Sequence, residues 1–221
     1  MTVYANVPAN PAIWLDFPAT WTPETGPDAQ AWGARLSRAC WIDSGLNHTQ
    51  AELDHLAAVL TLLVERYGPD SVHPEHAVDP DMEIQTLLYL PDPRVLPMPA
   101  RVMVFSADVV RREAVTLEKA AVVEDSEAQG AVDVAEFRNP NLGVGVRAAR
   151  YRAEHVAGRD DEIYAVIKYA FPVPEHDDVV LLTVSWPDLG RVEHAREALD
   201  SLAECITFEY YPNDPESDSD Q

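Results

Sequence analysis

Residues 163–186 read IYAVIKYAFPVPEHDDVVLLTVSW, and the fold follows from them. Ile163, Ala165, Ile167, Tyr169 and Phe171 occupy alternate positions; after a turn through Pro172 and Pro174, Val180, Leu182, Val184 and Trp186 do the same. Successive side chains of a strand point to opposite faces, so each segment offers one apolar face and a shared core sets the register between them. Upstream, residues 132–138 and 144–152 have the content of two more strands, and the four together predict an antiparallel meander. The glycine pair Gly143-Val-Gly145 lacks the third glycine and following helix of a dinucleotide fingerprint, and marks a bend or bulge.

Outward from the meander, residues 13–17 alternate Ile13, Leu15 and Phe17 with Trp14 and Asp16 and stop at Pro18, a half-buried strand. Asp28 can cap a helix to about residue 41 that offers Trp32, Leu36 and Cys40 to the interior. Thr49-Gln-Ala-Glu52 has the capping-box spacing, and Leu53, Leu56, Ala57, Leu60, Leu63, Val64 and Tyr67 follow on one helical stripe until Gly68-Pro69. Residues 70–99 are acidic and proline-rich, with Arg94 the only base, and read as an irregular loop interrupted by a strand at 84–90. Another strand fits 101–106. Thr116 can cap a helix with Leu117, Ala120 and Ala121 inward, although Val122-Val123 also suits a strand. A last helix carries Val192, Ala195, Leu199, Leu202 and Ile206 on one stripe. The expected architecture is a single α+β domain over 1–209, an antiparallel β-sheet of about five to seven strands flanked by helices. Residues 210–221, rich in acids and without a base, are expected to be a disordered acidic tail.

Charge narrows the partners. Sixteen Lys and Arg against 38 Asp and Glu leave a formal net charge of −22, which repels phosphate backbones and anionic headgroups, so neither nucleic acid nor a membrane surface is an expected partner. The acidity sits in the flanks: residues 94–159 are nearly neutral. A protein partner is expected to be basic, with association slowed by salt. Two cysteines, Cys40 and Cys205, form no framework or C-x-x-C pair and read as buried thiols on apolar helix stripes. With no secretory signal or apolar span visible, the expected location is cytoplasmic.

The strand ending Phe17-Pro18-Ala-Thr-Trp21, the late meander, and the closing run from Ser185-Trp186-Pro-Asp-Leu-Gly190 into a helix resemble the PsbP-like superfamily, which includes DcrB-like and LpqN-like bacterial proteins. The resemblance implies an α/β/α sandwich around an antiparallel sheet. It implies a binding or accessory role, such as an assembly factor, secretion chaperone or surface lipoprotein, with no shared catalytic set to carry over. The lipobox cysteine of the lipoprotein members is not seen here.

Candidate chemistry is sparse. His73-Pro-Glu-His76 with Asp79 and Asp81 is the one compact set of metal-capable side chains, but it lies on a proline-broken loop where zinc motifs use regular elements. His48 and His55 lie two helical turns apart with Asp54 between them, a possible acid–base set whose bland reading is exposed helix residues. No G-x-S-x-G elbow occurs. Arg138, Arg147, Arg150 and Arg152 stand on adjacent strands, but alternation puts Arg150 on one face and Arg147 on the other. Arg147, Arg150 and Arg152 are candidates for a carboxylate ligand or acidic partner segment, against the plainer reading that they pair with the protein's own acids. Of five tryptophans, most belong in the core, and one left exposed can anchor a partner. The expected function is a non-enzymatic accessory protein that binds another protein, of chaperone, adaptor or immunity type, with no cofactor. The alternatives are a metal-dependent enzyme on the His73–Asp81 loop or a small-ligand binder using the sheet arginines.

Overall fold

The computed structural model describes residues 2–69, 82–122, 128–154, 162–187 and 192–211. Through them the chain runs β1 (Thr2–Asn6), β2 (Trp14–Asp16), α1 (Ala29–Ser44), α2 (Gln50–Tyr67), β3 (Met82–Tyr89), β4 (Met98–Phe105), α3 (Ala107–Glu113), α4 (Leu117–Ala121), β5 (Ala128–Asn139), β6 (Gly143–Glu154), β7 (Glu162–Pro172), β8 (Val179–Trp186), α5 (Val192–Cys205) and β9 (Thr207–Tyr211). Seven strands hydrogen-bond in the order β2-β3-β4-β8-β7-β6-β5, and β1 pairs with β9 in a separate antiparallel ribbon. The chain is of the α+β class, with an antiparallel sheet and helices, as its patterning predicts. By compactness the described residues group into two units, residues 2–9, 82–84 and 102–211, and residues 10–69 and 85–101.

In the first unit the meander has the register its alternation requires. Ala165 faces Trp186, Ile167 faces Val184, Tyr169 faces Leu182 and Phe171 faces Val180 across β7 and β8. Of this row only Ile163, at the outer end of β7, stays largely exposed. The β5–β6 turn places Asn139 opposite Gly143, whose φ of +87° is one that side-chain-bearing residues rarely adopt. A Cβ on Gly145 would meet the Ala170 carbonyl and the Phe171 ring, so the glycine pair marks a turn and then a close approach. Buried Asn139 closes the turn: its Oδ1 accepts from the backbone N–H of Asn141 and Leu142, and its Nδ2 donates to the carbonyls of Ala203 and Ile206 at the end of α5. Helix α5 buries Ala195, Leu199, Leu202 and Ala203, close to the expected stripe.

Strand register fixes which helix lies on which face. Tyr169 on β7 donates to Asp200 on α5 at 2.5 Å, so α5 covers the face shared by Arg147, Tyr169 and Leu182. The alternate residues Ala148, Ala170 and Leu181 pack with Ala120 and Ala121 of α4 on the opposite face. Helices thus flank this part of the sheet on both sides, as expected.

Three elements differ from the expectations. Helix α3 was not anticipated, although Ser106 caps it by accepting from Val109 N–H. The Thr116-capped helix is α4, which ends at Ala121 and is shorter than expected. The β1–β9 ribbon was missed altogether, and β9 extends to Tyr211, one residue past the expected start of the tail. Residues 212–221 lie outside the described residues.

The second unit is an α1–α2 hairpin packed on β2, the 85–89 part of β3 and Leu90. Asp28 caps α1 by accepting from Ala31 N–H at 2.8 Å, and the helix runs to Ser44, three residues beyond the expected end. Trp41 lies in the core beside Trp32, Leu56, Leu60 and Val64, while Leu36 and Cys40 are only partly buried. The capping box forms as read: Thr49 N–H donates to Glu52 Oε2 at 2.8 Å, and Glu52 N–H to Thr49 Oγ1 at 3.3 Å. Gly33 is the close-contact point of the two helices, since a Cβ there would lie 2.8 Å from the Ala57 carbonyl oxygen and 2.5 Å from Thr61 Oγ1. Buried Ser37 is satisfied by donating to the Leu53 carbonyl.

Candidate ligand-binding groove

Strands β5, β6 and β7 have 12, 12 and 11 residues, which at about 3.3 Å per residue is some 36 to 40 Å of strand. The helices on the α4 side have seven and five residues, about 10 and 8 Å of helix at 1.5 Å per residue. Among the described residues this face is therefore only partly covered, and Val134 and Val144 on it are 48% and 44% exposed. The uncovered space is a groove of about 1110 Å³. Met103, Phe105, Val134 and Leu181 line it from the strands, and Val115, Ala120 and Val122 from the α4 side.

Local sequence builds the helical wall. The Ala107 N–H donates to the buried carboxylate of Asp178, tying the start of α3 to the β7–β8 turn. Arg111 adds ion pairs to Asp108 at 2.7 Å and Asp177 at 2.8 Å. Ala114 then takes a left-handed conformation, φ 50° and ψ 48°, which ends α3 and redirects the chain into α4. Thr116 caps α4 by accepting from Lys119 N–H at 3.1 Å.

The polar lining is specific. The chain has two lysines, Lys119 and Lys168, and both line this groove, together with Glu113, Glu118 and Thr116. Lys119 Nζ donates to the Glu113 carbonyl at 2.6 Å, which uses one of its three N–H groups. Lys168 rises from β7 on the same face as Ala148, and alternation along β6 sets Arg150 and Arg152 on that face too. Arg150 is buried and Arg152 half-buried. Next to Lys168 across the β7–β8 pairing is Thr183, whose buried hydroxyl has no hydrogen-bond partner among the described residues.

Other sequence-derived candidates go elsewhere. Arg147 lies on the α5 face, its Nη1 3.3 Å from both oxygens of Asp200, so the guanidinium faces the protein's own acid. Tyr169 shares that carboxylate, and burial, reinforced by the bond to Asp200, raises its phenol well above the usual tyrosine range. Arg138 pairs with Glu136 at 3.0 Å. His73, His76, Asp79 and Asp81 lie outside the described residues. Among the described residues no three His, Cys, Asp or Glu side chains are grouped to hold a metal ion. His48 lies against Trp41 with ring centres 5.4 Å apart and planes tilted by 40°, and Asp54 accepts from Gln50 at 2.8 Å. Four tryptophans are buried, and Trp21 is half-buried against the α1–α2 core. The expectation of two buried thiols needs correction: Cys40 is partly buried, but Cys205 is exposed because it falls off the apolar stripe of α5. Desolvation pushes the Cys40 thiol up to about 11, with Asp43 adding to the effect.

Fold and groove define an α+β chain with an amphipathic cavity on one sheet face. No protein-family model matches the chain, and no curated protein matches it. Among solved structures it is similar to LpqN of Mycobacterium tuberculosis, a protein involved in cell envelope biogenesis, with a TM-score of 0.34 and 12% identity over 60% of this chain and 81% of that one. The resemblance to LpqN is weak and at the level of fold. No helix among the described residues is long and apolar enough to cross a membrane.

Proposed function

We propose that the chain is a non-enzymatic binding protein whose groove takes an amphipathic anion, an apolar chain ending in a carboxylate. The observation that carries this is the convergence of both lysines on one apolar groove in a molecule of net charge −22. The volume of about 1110 Å³ lies just above the usual range of small-ligand sites, which are apolar with a few placed polar groups. Burying the chain supplies affinity at about 0.8 kcal/mol per methylene, and the lysines select the charged end. Titration calorimetry with decanoate and decanol tests it. Decanoate should bind about tenfold more tightly than decanol, and Lys168→Met with Lys119→Met should remove that preference while leaving decanol binding intact. No binding of either compound, or an unchanged preference in the double variant, sinks the reading.

A second reading, a protein-binding accessory role of chaperone, adaptor or immunity type, is favoured by the acidic flanks, which suit a basic partner. It is tested by affinity capture from the host at low and high salt. Membership of the wider PsbP-like and DcrB-like grouping belongs to this proposal, as do a single domain over 1–209 with an acidic tail and a cytoplasmic location. The exposed free thiol of Cys205 suits a reducing compartment. For the His73, His76, Asp79 and Asp81 set, metal analysis of the purified protein with a Zn²⁺ or Mn²⁺ thermal shift decides whether an ion binds.

A further inference from the structure

The seven-stranded sheet ends on one side at β2, which has three residues, and on the other at β5, which has 12. Among the described residues β5 pairs with β6 alone. Residues of an antiparallel strand alternate in turning their N–H and C=O to one neighbour or the other, so every second residue of β5 offers both groups outward. An open edge of this length recruits another strand unless something blocks it. One end is blocked: residues 130–132 stand opposite Arg150 alone, a bulge that interrupts the ladder. From Asp133 to Asn139 the register runs without a shift.

Charge decides what can pair there. The β5–β6 hairpin, residues 128–154, holds four arginines against three acids in a chain of net charge −22, so a second copy meets little repulsion along it. Arg138 and Glu136 share a face and are 76% and 60% exposed. Arg138 Nε and Nη2 both donate to Glu136 Oε1, at 3.2 and 3.0 Å, which leaves Glu136 Oε2 and Arg138 Nη1 for another chain. A two-fold axis normal to the sheet makes a strand cross its own copy at one residue. Crossing at Asp133, Glu136 or Arg138 sets like charges face to face, and crossing at Val134 or Ala135 sets Glu136 and Arg138 opposite no charge. Crossing at Phe137 sets Glu136 of each copy opposite Arg138 of the other.

We infer that the chain associates with a second copy through the free edge of β5, antiparallel and centred on Phe137, with residues 135–139 of each copy paired. Opposite charges directly across an antiparallel pair stabilise it, and like charges oppose it. So short a pairing buries less than a standard stable interface, and the dimer forms reversibly with concentration. It uses neither lysine of the groove, so the two readings stand or fall apart.

Sedimentation equilibrium of the full chain from about 10 µM to about 1 mM, the range suited to a small interface, reads the association. Glu136→Arg sets arginine against arginine across the axis, and Arg138→Glu sets glutamate against glutamate; each should weaken association about tenfold. An equimolar mixture of the two variants restores opposite charges at every crossing and should associate at least as tightly as the parent. Both positions are exposed, so the variants keep the monomer fold, which circular dichroism checks. A parent that stays monomeric over this range, variants that associate as the parent does, or a mixture no tighter than its components overturns the inference.

Discussion

Replacing Asn139 by Ala tests how the long hairpin and the last helix are joined. Four short bonds converge on this amide: Nδ2 to Ala203 O at 2.7 Å and Ile206 O at 2.9 Å, and Oδ1 from Asn141 N at 2.6 Å and Leu142 N at 2.7 Å. Three are fully buried, and the Asn141 N–H, on an exposed residue, can turn to water. Truncation leaves the Ala203 carbonyl and the Leu142 N–H without the amide, while the Ile206 carbonyl keeps only a longer bond from Asn141 Nδ2 at 3.4 Å; at about 1 kcal/mol or somewhat more for each lost bond, with loss of the turn, stability should fall by about 2 to 4 kcal/mol. That is a large share of the roughly 5 to 15 kcal/mol typical of a domain. Urea unfolding followed by circular dichroism reads it as a lower midpoint at unchanged slope. Asn139→Asp adds a sign. A carboxylate keeps the acceptor but points charge at two carbonyls, so its folded pKa should lie above the unfolded value of about 3.9. The penalty should be smallest below that value and grow as pH rises through it until the raised folded pKa is passed. An Ala variant within 1 kcal/mol of the parent, together with a pH-independent Asp variant, would refute the clamp.

At Gly33 two effects compete: Gly33→Ala gains about 1 kcal/mol of helix propensity, while overpacking against the Ala57 carbonyl and Thr61 costs about 1 to 3 kcal/mol. Because one obstacle is backbone, packing should win and the midpoint of thermal unfolding should drop; a rise would mean the helices can separate freely. Iodoacetamide at pH 7.5 should add one carbamidomethyl group per folded chain, at Cys205, since the Cys40 thiol is pushed up to about 11 and stays protonated. Two adducts formed at similar rates by mass spectrometry would contradict this. The capping box predicts a pH dependence: Glu52 has its carboxyl lowered by Thr49, so its contribution is present above the usual carboxylate pKa and is lost as pH falls through the folded value. Glu52→Gln should therefore differ from the parent in stability at pH 7, and the difference should shrink as pH falls through the lowered folded value; a difference constant with pH rules out the charged contribution.

What was legible in the fold was what repeats along the chain. The alternation in 163–171 and 179–186 passed directly into the Tyr169–Leu182 and Ile167–Val184 pairs, because a one-residue slip would turn those apolar rows into solvent. The capping box was equally readable, since its two bonds link residues three apart. What stayed hidden depended on distant partners. Strands β1 and β9 join the two ends of the described chain, with Val3 facing Tyr210, and no local period records such a pairing. Helix α3 begins at an ordinary Ser106 cap but is held by Asp178 of the β7–β8 turn. Helix α1 runs three residues beyond its expected end, because helix ends are set by contacts more than by propensity.

The groove was illegible for a related reason: it is defined by what fails to meet. The groove exists because about 18 Å of helix in two pieces faces strands of about twice that length or more, a mismatch visible only once α3 and α4 are known to be short. The sequence singled out arginines because they are dense in 138–152, yet Arg147 is drawn to Asp200 on the opposite face. The two lysines, 49 positions apart by their numbers, 119 and 168, meet across the fold instead. In a chain this acidic most guanidinium groups find an acid nearby, and an exposed pair of that kind adds little. The informative cation is one held against apolar walls, where desolvation makes a ligand's carboxylate worth binding. That places the weight of the ligand hypothesis on the two lysines that line the groove, and makes the loss of carboxylate preference in the Lys119→Met, Lys168→Met double variant the observation on which the reading of the groove turns.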